Sequence, residues 1–349
     1  MIRKELHIID QGDSIKSALE RLTALGENLT LFVTDKNKCL IGVITDGDIR
    51  RGLVRGVQLD QPVSLVMNKN FRYLQENQYS FEIIKELQAS SVKIIPVIGK
   101  DFKIVRVINL SIIKSMLPVD AVIMAGGRGE RLMPLTKDKP KPMLEINGKP
   151  IIEINVDLLA SYGIHNMFIS VHYLGDKIKE HLNTGTEKEI NIAYINEDKP
   201  LGTLGAVKQT DQYKNDDIIV MNSDLLTNIN FEDFYKSFKD ADADMAIATT
   251  SYNITVPYAV LETENGVVHS FKEKPTYTYF SNAGIYLIKR KHIDEIPKNE
   301  FYNATDLISA LIEKGKKVIS FPILGYWLDI GRHEDYSKAQ EDFKHINFK

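Results

Sequence analysis

The sequence predicts an α/β protein, a doubly wound, mostly parallel sheet over residues 119–349 preceded by a smaller α+β module over residues 1–118. Three observations predict it. From residue 119 onward strand-like and helix-like patterns alternate, which argues for parallel strands with helices on both faces. An apolar run at 120–125 leads directly into three glycines in four residues, Gly126, Gly127 and Gly129. Within the first 118 residues, the order helix, strand, turn, strand, helix occurs twice, as a stacked pair would require. At 349 residues the chain exceeds the usual single-domain size, so two cores are expected.

In the first repeat, Ile15, Ala18, Leu19, Leu22 and Leu25 have helical spacing behind a plausible cap at Asp13-Ser14. Strands follow at 29–34 and 39–45, separated by the turn at 35–38, and a helix starts near Asp48. The second repeat reads as helix 80–89, strand 92–98, turn 99–102, strand 103–108 and helix 111–117. Leu117-Pro118 closes the module. The larger domain then reads as strand 120–125, helix 151–162, strand 166–171, helix 176–182, strand 190–195, helix 203–210 and strand 217–222. Ligands of such sheets sit beyond the carboxyl ends of the strands. Both the Gly126 loop and Asp224 fall there.

Composition narrows the function. A hydrophobic content of 43% and a charged content of 26% fit an ordinary globular protein, and no apolar run is long enough to span a membrane. The N-terminus lacks a signal-peptide core. The single cysteine, Cys39, rules out an internal disulfide and a cysteine-based metal cluster, which suits a cytoplasmic location. Residues 1–118 hold 17 Lys and Arg against 13 Asp and Glu, and the remainder 27 against 34. Neither part carries the basic stripe that nucleic-acid binding needs, so neither nucleic acid nor membrane is an expected partner.

The segment Ala121 to Glu145, AVIMAGGRGERLMPLTKDKPKPMLE, carries the chemistry. Glycines after a strand let the backbone approach a phosphate and turn N–H groups toward it. Arg131 and Lys141 add forked and point positive charge. A P-loop would need Gly-Lys-Ser/Thr after its glycines, and a dinucleotide fingerprint would need a third glycine where Leu132 stands. The whole pattern GGRGERLxPLTxxxPKPM resembles the signature of the sugar-phosphate nucleotidyltransferases, with Glu130 where many members carry Thr. That resemblance implies a Rossmann-like, GT-A-type domain and carries residue roles with it. Ala125, Gly126, Gly127, Gly129, Gly202 and Thr203 would bind the nucleotide. Arg131 would hold the leaving pyrophosphate, Lys141 the α-phosphate and Lys274 the attacking phosphate. Asp224 in VMNSDLL and Asp329 in GYWLDIG would bind Mg²⁺. Glu273 in FKEKP, with Asn282 and Gly284 in SNAGIY, would line the sugar pocket.

Several of these residues have plainer readings. Asp224 alone reads as a helix cap, Thr305-Asp306 fits a cap as well as a sugar contact, and FKEKP could be a charged turn. Glu197 occupies the place of a base-edge reader. A carboxylate accepts both N1–H and N2–H of guanine, so Glu197 favours GTP, although a solvent-facing Glu197 is the plainer alternative.

In the first module, GVITDGDIRRGL resembles the end of a CBS domain, and two such units form the usual tandem CBS pair. There Thr45 and Asp48 would hold the phosphate and ribose of an adenine nucleotide, or Asp46 and Asp48 merely cap the following helix. In the second unit Ile108 and Ser111 fall at the matching places, so at most one such site is expected.

Among fusions of this layout the chain is similar to the glucosamine-1-phosphate guanylyltransferases that feed legionaminic acid synthesis. The expected partners are therefore an NTP, GTP favoured, and a sugar 1-phosphate, with Mg²⁺ as cofactor and assembly into a homo-oligomer. Mannose or heptose 1-phosphate, UTP or dTTP, and a non-catalytic nucleotide-sensing regulator are the alternatives.

Overall fold

The computed structural model describes residues 3–26, 29–76, 81–90, 92–188 and 190–346. The chain separates into two compact units, Met1–Leu117 and Pro118–Lys349.

In the first unit, β1 (Ile8–Asp10), α1 (Ile15–Ala24), β2 (Thr30–Thr34), β3 (Leu40–Thr45) and α2 (Asp46–Val54) form the first repeat. The second repeat is β4 (Leu74–Gln75), α3 (Phe81–Gln88), β5 (Ile94–Ile98) and β6 (Ile104–Asn109). Both build the same three-stranded sheet: β1 pairs parallel with β2 and β2 antiparallel with β3, as β4 does with β5 and β5 with β6. Phe32 and Leu40 of one repeat share a buried cluster with Ile94, Ile98, Ile104 and Val107 of the other. The Leu40 N–H also donates to the Phe102 carbonyl, so the two repeats fold against one core.

Two expectations change here. The start of the 80–89 helix at Ser80 lies outside the described residues. The expected 111–117 helix does not form: one turn closes on the Asn109 carbonyl, and 113–117 has no regular structure. Seven residues ahead of a proline are too few to sustain a helix in isolation, and Pro118 disfavours helical backbone at Leu117. Here the Gln88 amide donates to the Leu110 and Ile113 carbonyls instead.

The second unit is built on β7 (Asp120–Ala125), α4 (Ile151–Ser161), β8 (Asn166–Val171), α5 (Gly175–Leu182) and β9 (Asn191–Asn196). It continues with β10 (Asp217–Asn222), α6 (Phe231–Asp240), β11 (Met245–Thr255), β12 (Thr276–Lys289), α7 (Ala304–Glu313), β13 (Val318–Pro322) and α8 (His333–Asp342). Seven strands form one sheet in the order β9-β8-β7-β10-β12-β11-β13. All pairings are parallel except those of β12, which runs antiparallel to β10 and β11. Val122, Val220 and Ile288 face a cluster that includes Leu307 and Leu311 of α7. Their neighbours Ile123, Ile219 and Leu287 are fully buried too, so both faces of the sheet are covered. That explains why these strands read as continuous apolar runs.

From β7 the chain winds one way through β8 and β9, then returns to place β10 on the other side. The strand order therefore reverses between β7 and β10, which opens a crevice at their carboxyl ends. The expected helix at 203–210 is a 3-10 turn over Gly205–Gln209. Its would-be first amides, of Leu204 and Gly205, both donate to the Tyr302 carbonyl, which ties this segment to the loop before α7. Among the described residues no helix is long and apolar enough to cross a membrane.

Candidate active site

A cavity of about 370 Å³ lies at that switch point, lined by the loops after β7, β8 and β10 and by the 197–203 segment. Ala125, buried, ends β7. Gly126 and Gly127 then form one wall with Arg128. A Cβ on Gly126 would come within 2.7 Å of a Glu197 carboxylate oxygen, so only glycine leaves room for that close approach. Gly129 has φ +64°, and a Cβ there would press on the Lys141 side chain at 2.9 Å. The loop thus turns tightly and brings Lys141 against its own glycines.

Lys141 is 8% exposed and makes an ion pair with Asp224, with Asp329 Oδ1 at 3.8 Å. Two residues 105 positions apart meet here because Leu225–Thr227 pairs antiparallel with Trp327–Asp329, setting Leu225 opposite Asp329. The Ile330 N–H donates to the Asp224 carbonyl, which closes the ladder. Asp224 follows β10 without capping a helix, since the chain enters this ladder instead. Burial, and then repulsion from Asp224, push the Asp329 carboxyl above its ordinary pKa, with Lys141 and Arg131 opposing. Its Oδ1 is buried without a hydrogen-bond partner among the described residues. Among those residues no group of three or more His, Cys, Asp or Glu could hold a metal. Two adjacent carboxylates, one with an unpartnered buried oxygen, do fit a hard cation that completes its shell with phosphate and water. Arg131 is exposed, its guanidinium 3.4 Å from where a Cβ on Gly331 would stand, beside Asp329 but outside the cavity lining.

Glu197 is not solvent-facing: it is buried in the cavity wall. One oxygen accepts from the Ser170 hydroxyl and the other from the Leu201 N–H at 3.0 Å. Gly202 has φ +77° and passes so close to the Tyr302 carbonyl that a Cβ would meet it at 2.7 Å. Thr203 accepts from the Ala304 N–H through its hydroxyl, joining this wall to the start of α7. Asp306 caps that helix by accepting from the Asn303 N–H at 2.7 Å.

The remaining expected residues stand apart. Gly284, at φ +71°, packs behind the cavity-lining Asn222, and Asn282 is exposed, accepting from the Gly284 N–H. Glu273 and Lys274 are exposed on an arm between β11 and β12, outside the cavity lining. Arg128, His172, Asn222 and Phe301 line the cavity and escaped the sequence reading. His172 and Asn222 sit at the ends of β8 and β10, where the strand-end rule that located Asp224 would also have found them.

In the first unit, Thr45 and Asp48 line a cleft of about 560 Å³ with Arg51, Arg72 and Lys93. The two also form a capping box on α2: Asp48 accepts from the Thr45 N–H at 2.9 Å and from its hydroxyl at 2.6 Å. The cap and the cleft share the same residues.

The Nucleotidyl transferase family model matches residues 120–345, and the CBS domain model matches residues 1–55. A mannose-1-phosphate guanyltransferase of Yarrowia lipolytica is 31% identical over 223 residues, 62% of this chain and 61% of that protein. A UTP–glucose-1-phosphate uridylyltransferase of Synechocystis is 29% identical over 239 residues, 63% of this chain and 62% of that protein. The chain thus spans a little under two thirds of the length of the curated relatives it matches. The crystal structure of HddC from Yersinia pseudotuberculosis, solved also in complex with GMP-PN, is 31% identical, covering 64% of this chain and 99% of its own, with a TM-score of 0.51. Over residues 120–345, well over half its length, the chain belongs to the nucleotidyl transferase family, with a CBS domain ahead of that region.

Proposed function

We propose that this chain transfers a nucleotidyl group from a nucleoside triphosphate to a sugar 1-phosphate, releasing pyrophosphate, with GTP and glucosamine 1-phosphate as the favoured pair. The observation that carries the reaction class is the convergence of the Gly126-Gly127 wall, Lys141, Asp224 and Asp329 at one switch point. The similarity to sugar-1-phosphate guanyl- and uridylyltransferases supports the class. The GMP-PN complex of a relative supports guanine. Glu197 supports it too, since each of its oxygens keeps a further lone pair for a base donor. Glucosamine 1-phosphate, and with it a place in legionaminic acid synthesis, rests on the resemblance of the two-domain layout.

In this reading a phosphate oxygen of the sugar 1-phosphate attacks the α-phosphorus in line. A P–O bond forms there as the bond to the β-phosphate bridge breaks, and the electron pair leaves with pyrophosphate. A sugar phosphate is already largely dianionic at neutral pH, its second pKa being about 6, so no general base is needed. Catalysis is alignment and charge neutralisation. Lys141 gives its charge to the α-phosphate as Asp224 releases it, and Arg131 steadies the departing pyrophosphate. Glu273 and Lys274 are the proposed sugar and sugar-phosphate contacts, made only as that substrate arrives, with Asn282 and Gly284 bounding the sugar. Asp224 and Asp329 would hold magnesium, which supplies further positive charge to the phosphates when bound. Thr45 and Asp48 would hold an adenine nucleotide in the cleft of the first unit.

Base choice is tested by Glu197→Gln. An amide keeps the Leu201 N–H as donor to its oxygen and turns the Ser170 contact round, its own N–H donating to that hydroxyl, and it suits a single N3–H flanked by acceptors. The expected result is at least a tenfold loss of kcat/KM with GTP relative to UTP and dTTP. An unchanged preference would remove Glu197 from base reading and leave the reaction class standing.

A further inference from the structure

His172 follows β8 directly and lines the cavity, half-buried. The parallel ladder of β8 with β9 ends at Val171 and Asn196, and the Glu197 N–H donates to the Val171 carbonyl just beyond it. The His172 ring adds one more tie, its Nδ1 lying 2.8 Å from the Glu197 carbonyl oxygen. A carbonyl oxygen only accepts, so Nδ1 carries the proton. That bond leaves Nε2 uncommitted, with no hydrogen-bond partner among the described residues. The next residue is held from the opposite side. The Tyr173 hydroxyl donates at 2.8 Å to the carbonyl of Lys137, in the segment that runs from the glycines to Lys141. The turn at 172–173 is thus pinned to the Glu197 wall at one end and to the glycine-lysine loop at the other. A Cβ on Gly126 would stand 3.4 Å from the His172 Cβ and 2.7 Å from the Glu197 carboxylate, so loop, ring and carboxylate meet at one point.

The ribose of a nucleotide joins its base to its 5′-phosphates, so it lies between the groups that hold those two ends. With the base at Glu197 and the triphosphate along Gly126-Gly127 and Lys141, as proposed above, that place is beside His172. The chemistry of Nε2 suits a hydroxyl better than it suits either neighbour. An ionised phosphate offers only acceptors and pairs with Nε2 only while the ring is charged. A guanine N–H pairs with it only while the ring is neutral, and Glu197 already matches those donors. A hydroxyl both donates and accepts, so it pairs with Nε2 in either state. On that placement of the two ends, we infer that His172 Nε2 binds a ribose hydroxyl of the nucleotide and makes the site prefer ribonucleoside over deoxyribonucleoside triphosphates. The preference disfavours dTTP through its sugar, independently of its base.

The test is calorimetric binding of GTP, 2′-deoxy-GTP and 3′-deoxy-GTP to the full chain with Mg²⁺. Wild type should bind at least one deoxy analogue about fivefold or more weakly than GTP, the loss expected of one hydrogen bond. His172→Asn can still donate an N–H to the Glu197 carbonyl but has no atom where Nε2 stands. It should melt as wild type does and bind all three nucleotides within about twofold of one another. A His172 that only ties the two strands together would instead leave the preference intact in this variant. Equal binding of all three by wild type, a preference that persists in His172→Asn, or no nucleotide binding at all overturns the inference. If His172→Asn fails to fold, His172→Phe, which fills the space without a polar atom, takes its place with the same outcomes. If another base binds more tightly than guanine, the deoxy analogues of that nucleotide are compared. Failure of the proposed reaction reads differently: nucleotide binds with a ribose preference, yet no sugar 1-phosphate releases pyrophosphate.

Discussion

Gly126→Ala adds one carbon where the structure has no room for it. The new Cβ would stand 2.7 Å from Glu197 Oε1, 3.3 Å from its Cδ and 3.4 Å from the His172 Cβ. Glu197 cannot simply swing aside, because the Ser170 hydroxyl and the Leu201 N–H hold its two oxygens in a buried wall. Either the loop shifts, at the 1–3 kcal/mol typical of overpacking, or Leu201 loses its acceptor, at a similar penalty. A domain of this size melts about 2–4 °C lower per kcal/mol, so Gly126→Ala should melt about 2–12 °C below wild type. The same substitution made in a Glu197→Ala background loses both close contacts and keeps the His172 Cβ at ordinary contact distance, 3.4 Å. There it should cost no more than about 0.5 kcal/mol, which gives a coupling within the range seen for contacting residues. Chemical denaturation of the four proteins in the cycle measures this. Equal costs in both backgrounds would refute the packing of the glycine loop on Glu197.

Three other outcomes follow from the electrostatics and the cap. Asp329 has a raised pKa from burial and from Asp224, so its ionisation weakens the ligand-free fold as pH rises through that value. Asp329→Asn should therefore melt at or above wild type at pH 8 while pyrophosphate release falls at least tenfold; a lower melting temperature would contradict the unpartnered-oxygen account. Burial disfavours the Asp244 carboxylate, but hydrogen bonds from His292, Lys291 and the Lys317 amide outweigh it and hold its pKa well below 3.8. Its stabilisation is complete above pH 3.8 and is lost as pH falls toward the folded value, so the gap in melting temperature between wild type and Asp244→Asn should be constant near neutrality and narrow below pH 3.8. Asp48→Ala removes the capping box and should destabilise the first unit by about 0.5–2 kcal/mol. It should also abolish calorimetric AMP or ATP binding by the full chain, and binding that survives it would remove Asp48 from the nucleotide cleft.

Much of this architecture could be read locally. The runs at 120–125, 166–171 and 217–222 are almost wholly buried, so apolarity located β7, β8 and β10; the glycine pattern then located the Gly126 loop, and the strand-end rule agreed with it and with Asp224. What failed was set by distant partners. The 203–210 segment has helical spacing, but the Tyr302 carbonyl, about a hundred residues away, captures its amides. The 111–117 segment loses its helix to Gln88 and Pro118. No local pattern brings Asp329 to Asp224, because their meeting depends on a three-residue ladder; the family resemblance supplied that pair. Glu197 was found by the same route, yet its burial came from Ser170 and Leu201, whose bonds leave no trace in the sequence. Nor does spacing separate Glu273 and Lys274 from the cavity: they form the bend between the strands Val267–Lys272 and Thr276–Lys289, the charged turn that was the plainer reading of FKEKP, and no local pattern says where that turn stands.

Nucleotidyl transfer itself is read by Mg²⁺-dependent pyrophosphate release from the full chain, with GTP, UTP, dTTP, CTP and ATP each paired with glucosamine, N-acetylglucosamine, mannose and glucose 1-phosphates. Release should require both substrates and be fastest with GTP and glucosamine 1-phosphate. No release from any pairing would contradict nucleotidyl transfer.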